Sequence, residues 1–353
     1  MDRMKRFIDC YVPVTYCNLK CSYCYLKQGD KFQYRIPGFE YDAAYVGRAL
    51  SKERLGGCCH INLCGGGETL IPEEMPAIIE ALLEQGHYLF VVTNGTLTKR
   101  FDEICKIDKK LLKHLGFKFS FHYEELLRLN IMDAFFDNVR RVRDSGCSFS
   151  LELTPHDGLI EKQKEIMRVC YQNVGSVCHV TVARKDNYAT KPILSKLSKS
   201  AYEDAWRPFK SRLFHFKMST FNKRRTEFCY AGEWSFYLNL GTGIAKQCYC
   251  SNFEQDIFED PDKPIRFLAI GNDCKEPHCY NSHAFLTLGL IPELSTPTYA
   301  SMRNRKTKEG EWLGSEMKQF LSQKLYRNNR KKTKLEQVIV NYRNDRYKKK
   351  ARR

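Results

Sequence analysis

Residues 59–95 read CHINLCGGGETLIPEEMPAIIEALLEQGHYLFVVTNG: an apolar run, a glycine-rich loop, an amphipathic stretch and a second apolar run. Pro72 stands where the amphipathic stretch begins and Gly86 where it stops, the positions at which helices start and end. A strand, a helix and a strand in that order imply a right-handed crossover and parallel pairing. Working outward, the unit recurs six times between residue 7 and about 187, with the runs FIDCYVPV, CHINLC, YLFVVTN, FKFSFHY, SFSLELT and CHVTVAR. The predicted class is therefore α/β. Six units build either an open doubly wound sheet or an incomplete barrel of the triosephosphate-isomerase kind, and periodicity does not separate the two. In both, ligands gather at the C-terminal ends of the strands.

The unusual residues stand at those ends. The first run leads into TYCNLKCSYCYLKQG at 15–29, which packs Cys17, Cys21 and Cys24 into eight positions without a histidine. The other five lead into CGGGETL, TNGT, SFHYEE, ELTPHD and ARKDN. Ser120 and His122 share one face of the fourth run and Glu152 and Thr154 one face of the fifth, alternating with Phe and Leu. Three thiols exceed a disulfide and fall short of the four ligands of structural zinc. They suit three of the four irons of an iron-sulfur cubane; a cluster of buried cysteines, or a zinc site completed from elsewhere, are the other readings.

Composition sets the frame. A chain of 353 residues suits one large domain and a smaller one. It holds sixteen cysteines, and its N-terminus, MDRMKRFIDCYVPVTYC, is without the apolar core of a secretion signal, so a reducing cytoplasm is expected. The longest apolar runs, such as HAFLTLGLI, are too short to cross a bilayer. Of the net charge of +17, residues 324–353 carry +11, which marks either a solvated basic helix or a surface for an acidic or anionic partner. Cys58, Cys59, Cys105, Cys147, Cys170 and Cys178 fall in strands or on apolar helix faces and are expected in the core.

CNLKCSYCY at 17–25, GGGE at 65–68 and TNG at 93–95 together resemble the motifs of radical S-adenosylmethionine (SAM) enzymes. The resemblance implies a partial (β/α)6 barrel with a [4Fe-4S] cluster on Cys17, Cys21 and Cys24 and SAM on its open iron. Reductive cleavage of SAM then yields a 5′-deoxyadenosyl radical that removes a hydrogen atom from substrate. It further implies Tyr23 against the adenine, and Gly66, Gly67, Glu68, Thr93 and Asn94 around the cofactor. Ser120, His122, Glu152 and Thr154 would face ribose or substrate, and Arg184 the cofactor carboxylate. An electron donor such as flavodoxin or ferredoxin belongs to the same picture.

Beyond a helical stretch at about 198–218, EFCYAGEWSFYLNLGTGIAKQCYC changes to an alternating period with Gly241 and Gly243 at a turn, which predicts a hairpin and a change of domain. The spacing of Cys229, Gly243 and Cys248 is similar to the opening of SPASM and twitch domains, which carry auxiliary iron-sulfur clusters. Only Cys250, Cys274 and Cys279 follow, so the shorter twitch type is expected, with Cys229, Cys248, Cys274 and Cys279 as ligands of one auxiliary [4Fe-4S] cluster. Cys250 is held in reserve, because one residue between Cys248 and Cys250 on a strand argues against both binding. Zinc is the alternative, with His278 and His283 beside Cys279. The expected organisation is a barrel at 1–195, a connecting helix at 196–228, the cluster domain at 229–300 and a basic tail at 301–353. The substrate is expected to be a small molecule or glycan, or a peptide. The competing reading is an iron-sulfur or zinc scaffold whose tail binds nucleic acid or an anionic surface.

Overall fold

The computed structural model describes residues 2–34, 36, 38–251 and 253–351. Six strands, β1 (Arg6–Val12), β2 (Cys59–Gly65), β3 (Tyr88–Thr93), β4 (Leu115–Ser120), β5 (Ser148–Leu153) and β6 (His179–Val180), pair in parallel in chain order. They coincide with the six runs anticipated from sequence, the sixth being cut to two residues. Between them, helices turn one stripe to the sheet. In Met75–Glu84 the buried residues are Met75, Ile78, Ile79, Leu82 and Leu83, and in Met132–Asp144 they include Phe135, Phe136, Val139 and Val142, at the spacing of a core-facing helix. The architecture is the partial barrel.

Six strands leave a barrel open. On the β1 edge the sheet is extended by β7 (Ser235–Asn239), which pairs parallel to β1, and then by β8 (Ile244–Lys246) and β9 (Glu254–Asp256), antiparallel. The hairpin expected around Gly241 and Gly243 is β7–β8, and it continues the barrel sheet instead of starting a separate one. The segment expected as one helix at 198–218 is two, Lys199–Trp206 and Arg212–Thr220. Pro208, the left-handed Lys210 and the capping hydroxyl of Ser211 interrupt it.

The C-terminal half also fills the barrel from inside. Phe7, His60 and Phe90, on the inner faces of β1, β2 and β3, meet Phe285 and Tyr299 at ring separations of 5.1–6.3 Å. Around them lies a second apolar core that includes Trp234, Leu288, Met317 and Phe320. Residues 301–351 are thus folded, not a free tail: Trp312, Met317, Phe320 and Leu321 are buried. In the basic helix Lys334–Ala351, Asn344 is fully buried and donates to the carbonyls of Ala269 (2.9 Å) and Ile270 (3.3 Å).

Candidate active site

The chain leaves β1 and turns back on itself to carry Cys17, Cys21 and Cys24. Backbone bonds hold this loop against the end of β2: the Gly67 amide donates to the Val14 carbonyl (2.6 Å) and the Glu68 amide to the Tyr16 carbonyl (3.0 Å). A Cβ at Gly67 would lie 1.9 Å from the Tyr16 carbonyl oxygen, and one at Gly66 would lie 2.7 Å from that of Val14. These glycines are therefore set by close approach of the cysteine loop itself, where sequence reasoning assigned the space to a cofactor.

Glu68 fastens a third strand end. Its buried carboxylate accepts from the Thr93 hydroxyl (2.7 Å), the Asn94 amide (2.6 Å) and the Leu70 amide (3.0 Å). Burial raises its pKa, against the lowering effect of these bonds. With its oxygens so engaged, Glu68 positions β2 against β3, and Thr93 acts with it. The Asn94 side-chain amide in turn donates to Asn18 (2.8 Å) and lies 3.7 Å from the Cys17 sulfur, to which the Leu19 amide also points (3.5 Å).

Two residues that sequence reasoning did not single out tie down the rest of the loop. Glu125 accepts from the Lys20 amide (2.8 Å). Gln28 donates to the carbonyls of Tyr23 (2.9 Å) and Arg184 (3.1 Å) and accepts from the Asp186 amide (2.9 Å). Tyr23 bonds His122 Nδ1 through its hydroxyl (2.7 Å), and its ring centre is 4.8 Å from that of His156. Burial holds His122 neutral, with a pKa lowered to about 4. Tyr25 donates to the Gly66 carbonyl.

The three cysteines line a cavity of about 830 Å³ at the C-terminal strand ends. Tyr23, Gly66, Gly67, Glu68, Thr93, Asn94, Ser120, His122, Glu152, Thr154 and Arg184 all border it, so the structure brings the expected residues to one place. Arg184 pairs with Asp186 (3.4 Å) and reaches the Tyr280 carbonyl (3.5 Å). Burial, the largest influence, pushes the Cys17 thiol up to about 11 and the Cys21 thiol to about 12. Such thiols become thiolates when a metal replaces the proton. Three thiols with N–H donors aimed at one sulfur, opening on a large cavity, fit an iron-sulfur cluster with one iron left for a further ligand.

Neighbours of the second cysteine group, though none of its own cysteines, border the same cavity from the C-terminal half. Tyr249 and Asn281 line it and hydrogen-bond to each other (2.6 Å), and both reach Asp9 of β1, at 2.8 Å and 3.4 Å. Asp9 also accepts from Asn62 (2.8 Å). Behind Tyr249, the sulfurs of Cys250 and Cys274 are 3.9 Å apart, and Cys229, Cys248 and Cys279 are close enough to perturb one another electrostatically. Cys248 and Cys250 occupy a turn after β8, not a strand, and their thiols interact directly. The strand alternation that placed Cys250 in reserve therefore does not hold. Burial raises Cys229 to about 12, and the adjoining Cys248 thiol raises Cys250 to about 12. Five thiols gathered in one region, linked pairwise by these interactions, suit an iron-sulfur cluster. His278 Nδ1 and His283 Nδ1 have no hydrogen-bond partner among the described residues, and no three His, Cys, Asp or Glu side chains there converge on a single metal ion.

Residues 11–170 match the family model described as the radical SAM superfamily. No curated protein matches the sequence. Among solved structures the chain is similar to Streptococcus suis SuiB bound to S-adenosylmethionine, with a TM-score of 0.50 and 16% identity over 73% of this chain and 64% of SuiB. It is also similar to anSMEcpe with bound AdoMet, with a TM-score of 0.45 and 14% identity over 73% of this chain and 77% of that one. The chain thus spans less than two thirds of the length of SuiB, and the likeness to SuiB shows the fold.

Proposed function

We propose that this chain, with a radical SAM domain over residues 11–170, is an enzyme carrying two iron-sulfur clusters. The first belongs on Cys17, Cys21 and Cys24 with SAM, and an auxiliary one on the cysteines at 229, 248, 250, 274 and 279. The observation that carries this reading is the placement of the three thiols on the wall of one cavity, with five more grouped next to Tyr249, which lines the same cavity. When bound, the first cluster supplies the electron that cleaves SAM to the radical that abstracts hydrogen.

The chain's own residues set the conditions. Asn94 and the Leu19 amide direct hydrogen bonds at the Cys17 sulfur, and Tyr25 orients the Gly66 carbonyl. Ser120, Thr154 and Arg184 offer polar contacts along the wall, while Phe285 and Tyr299 close the barrel floor against water. A fully cysteine-ligated auxiliary cluster has no open iron, so it suits electron transfer and an oxidative modification of substrate. Cys229, Cys248, Cys274 and Cys279 remain the proposed set, with Cys250 now an equal contender.

The substrate is proposed to be a small molecule or glycan, with a peptide as the second candidate, and the electron donor a flavodoxin or ferredoxin in the cytoplasm. No helix among the described residues is long and apolar enough to cross a membrane. The outer face of helix 334–351, exposing Arg343, Arg346 and Lys349, is proposed to meet an anionic partner. Iron analysis tests the two-cluster reading. The anaerobically reconstituted protein should hold about eight irons per chain, and a variant with Cys17, Cys21 and Cys24 all changed to Ala about four. Zinc without iron in that variant would contradict the auxiliary cluster.

A further inference from the structure

Deep in the cavity three cations gather around one carboxylate. Lys118, on the inner face of β4, lies 3.6 Å from Glu152 on β5. Arg303, only 1% exposed at the end of the helix Tyr299–Arg303, pairs with the other Glu152 oxygen. Lys217 arrives from the helix Arg212–Thr220 and donates to the Thr181 hydroxyl (2.6 Å). The ammonium of Lys217 has no ion pair among the described residues. The other carboxylate on this side, Asp9, is engaged by Asn62, Tyr249 and Asn281.

Glu152 offsets one of the three positive charges. Two remain, in a recess where like charges repel strongly because little water screens them. Two buried nitrogens there have no hydrogen-bond partner among the described residues: Arg303 Nε, a donor, and His283 Nδ1. His283 faces Lys217, Arg303 and Lys118, and burial together with these cations holds it neutral. Burial and the neighbouring cations likewise press the Lys217 ammonium toward losing its proton. The unpartnered Arg303 Nε–H beside excess positive charge suits an acceptor that is itself anionic.

We propose that Lys118, Lys217 and Arg303 bind a phosphoryl group of the substrate. The inference rests on the reading of this cavity as the SAM-dependent site and names the class of substrate it takes, a phosphorylated one. A phosphate dianion would hold the Lys217 ammonium protonated and offset the positive charge that Glu152 leaves over, and a guanidinium whose Nε–H is unpartnered among the described residues suits its oxygens. The alternative source of anionic oxygens is the carboxylate of SAM, a monoanion.

Isothermal titration of inorganic phosphate into the reconstituted protein decides between them, run with and without saturating SAM and repeated with acetate. Phosphate should bind in both samples, at least about tenfold more tightly than acetate, and Lys118→Met and Lys217→Met should each weaken it about tenfold. Lys118 is the less buried of the two, so its variant serves if Lys217→Met fails to fold. No phosphate binding, equal affinity for acetate, or variants that bind like the wild type would overturn the proposal. Displacement of phosphate by SAM would overturn it too, by assigning the cations to the cofactor carboxylate. SAM cleavage measured on the same wild-type sample separates the two readings. Cleavage without phosphate binding refutes the phosphoryl site alone, and phosphate binding without cleavage refutes the enzyme and with it a phosphorylated substrate.

Discussion

Gly67 and Glu68 show how little slack the cysteine loop has. Any side chain at 67 meets the Tyr16 backbone, so Gly67→Val should displace the loop and lower iron by about four per chain while the second cysteine group keeps its own. Iron assay on the purified variant checks this, and undiminished iron would show that the loop yields. Glu68→Gln places an amide among donors that already fill both carboxylate oxygens, leaving one buried donor unpaired at a cost of about 1–3 kcal/mol. Thermal unfolding of the variant measures it. The motif itself was legible in the sequence, but the partner of each group was not. GGGE announces close approach without saying what approaches. Lys118 was within reach of sequence reasoning, since it alternates with Phe117 and Phe119 as Ser120 does. Lys217 and Arg303 carried no such signal, because they enter the cavity from helices far along the chain.

At the scale of elements, the six strands could be read because each is a short apolar run ending in polar or glycine-rich chemistry. The basic helix 334–351 was expected as a helix, but its packing onto the fold was not, for a physical reason. One face carries Val340, Asn344 and Tyr347 inward, while Leu335, Val338, Ile339 and Tyr342 are exposed on the other, so the segment has two apolar sides and no single amphipathic stripe. Asn344→Ala removes bonds to the carbonyls of Ala269 and Ile270 and should lower stability by about 1–3 kcal/mol in chemical denaturation. The start of this helix is a capping box. Glu336 accepts from the Thr333 amide and from Arg330, and these contacts lower its pKa to about 2 from an ordinary 4.5. A depressed carboxylate stabilises the fold above its ordinary pKa and loses that contribution as pH falls from about 4.5 toward 2. Protection of the first-turn amides, taken relative to their intrinsic exchange rate at each pH, should therefore fall over that window in the wild type and not in Glu336→Gln.

Across the whole molecule, the C-terminal half does more than append a second cysteine group. It continues the barrel sheet through β7, fills the open interior with Phe285 and Tyr299, and supplies Lys217, Tyr249 and Arg303 to the cavity wall. Asp9 joins β1 to Tyr249 and Asn281, so that residues adjoining the second cysteine group complete the wall of the cavity that Cys17, Cys21 and Cys24 line. None of this long-range assembly could be read from periodicity, which reports only local pattern. In the function proposed here, Cys17, Cys21 and Cys24 support cleavage of SAM in this cavity. The most direct test is the formation of 5′-deoxyadenosine by the anaerobically reconstituted, reduced protein supplied with SAM. The wild type should form it, and Cys17→Ala, Cys21→Ala and Cys24→Ala should each abolish it while the chain stays folded. Absence of the product in an iron-replete wild type, or undiminished product in any of the three variants, would contradict the account.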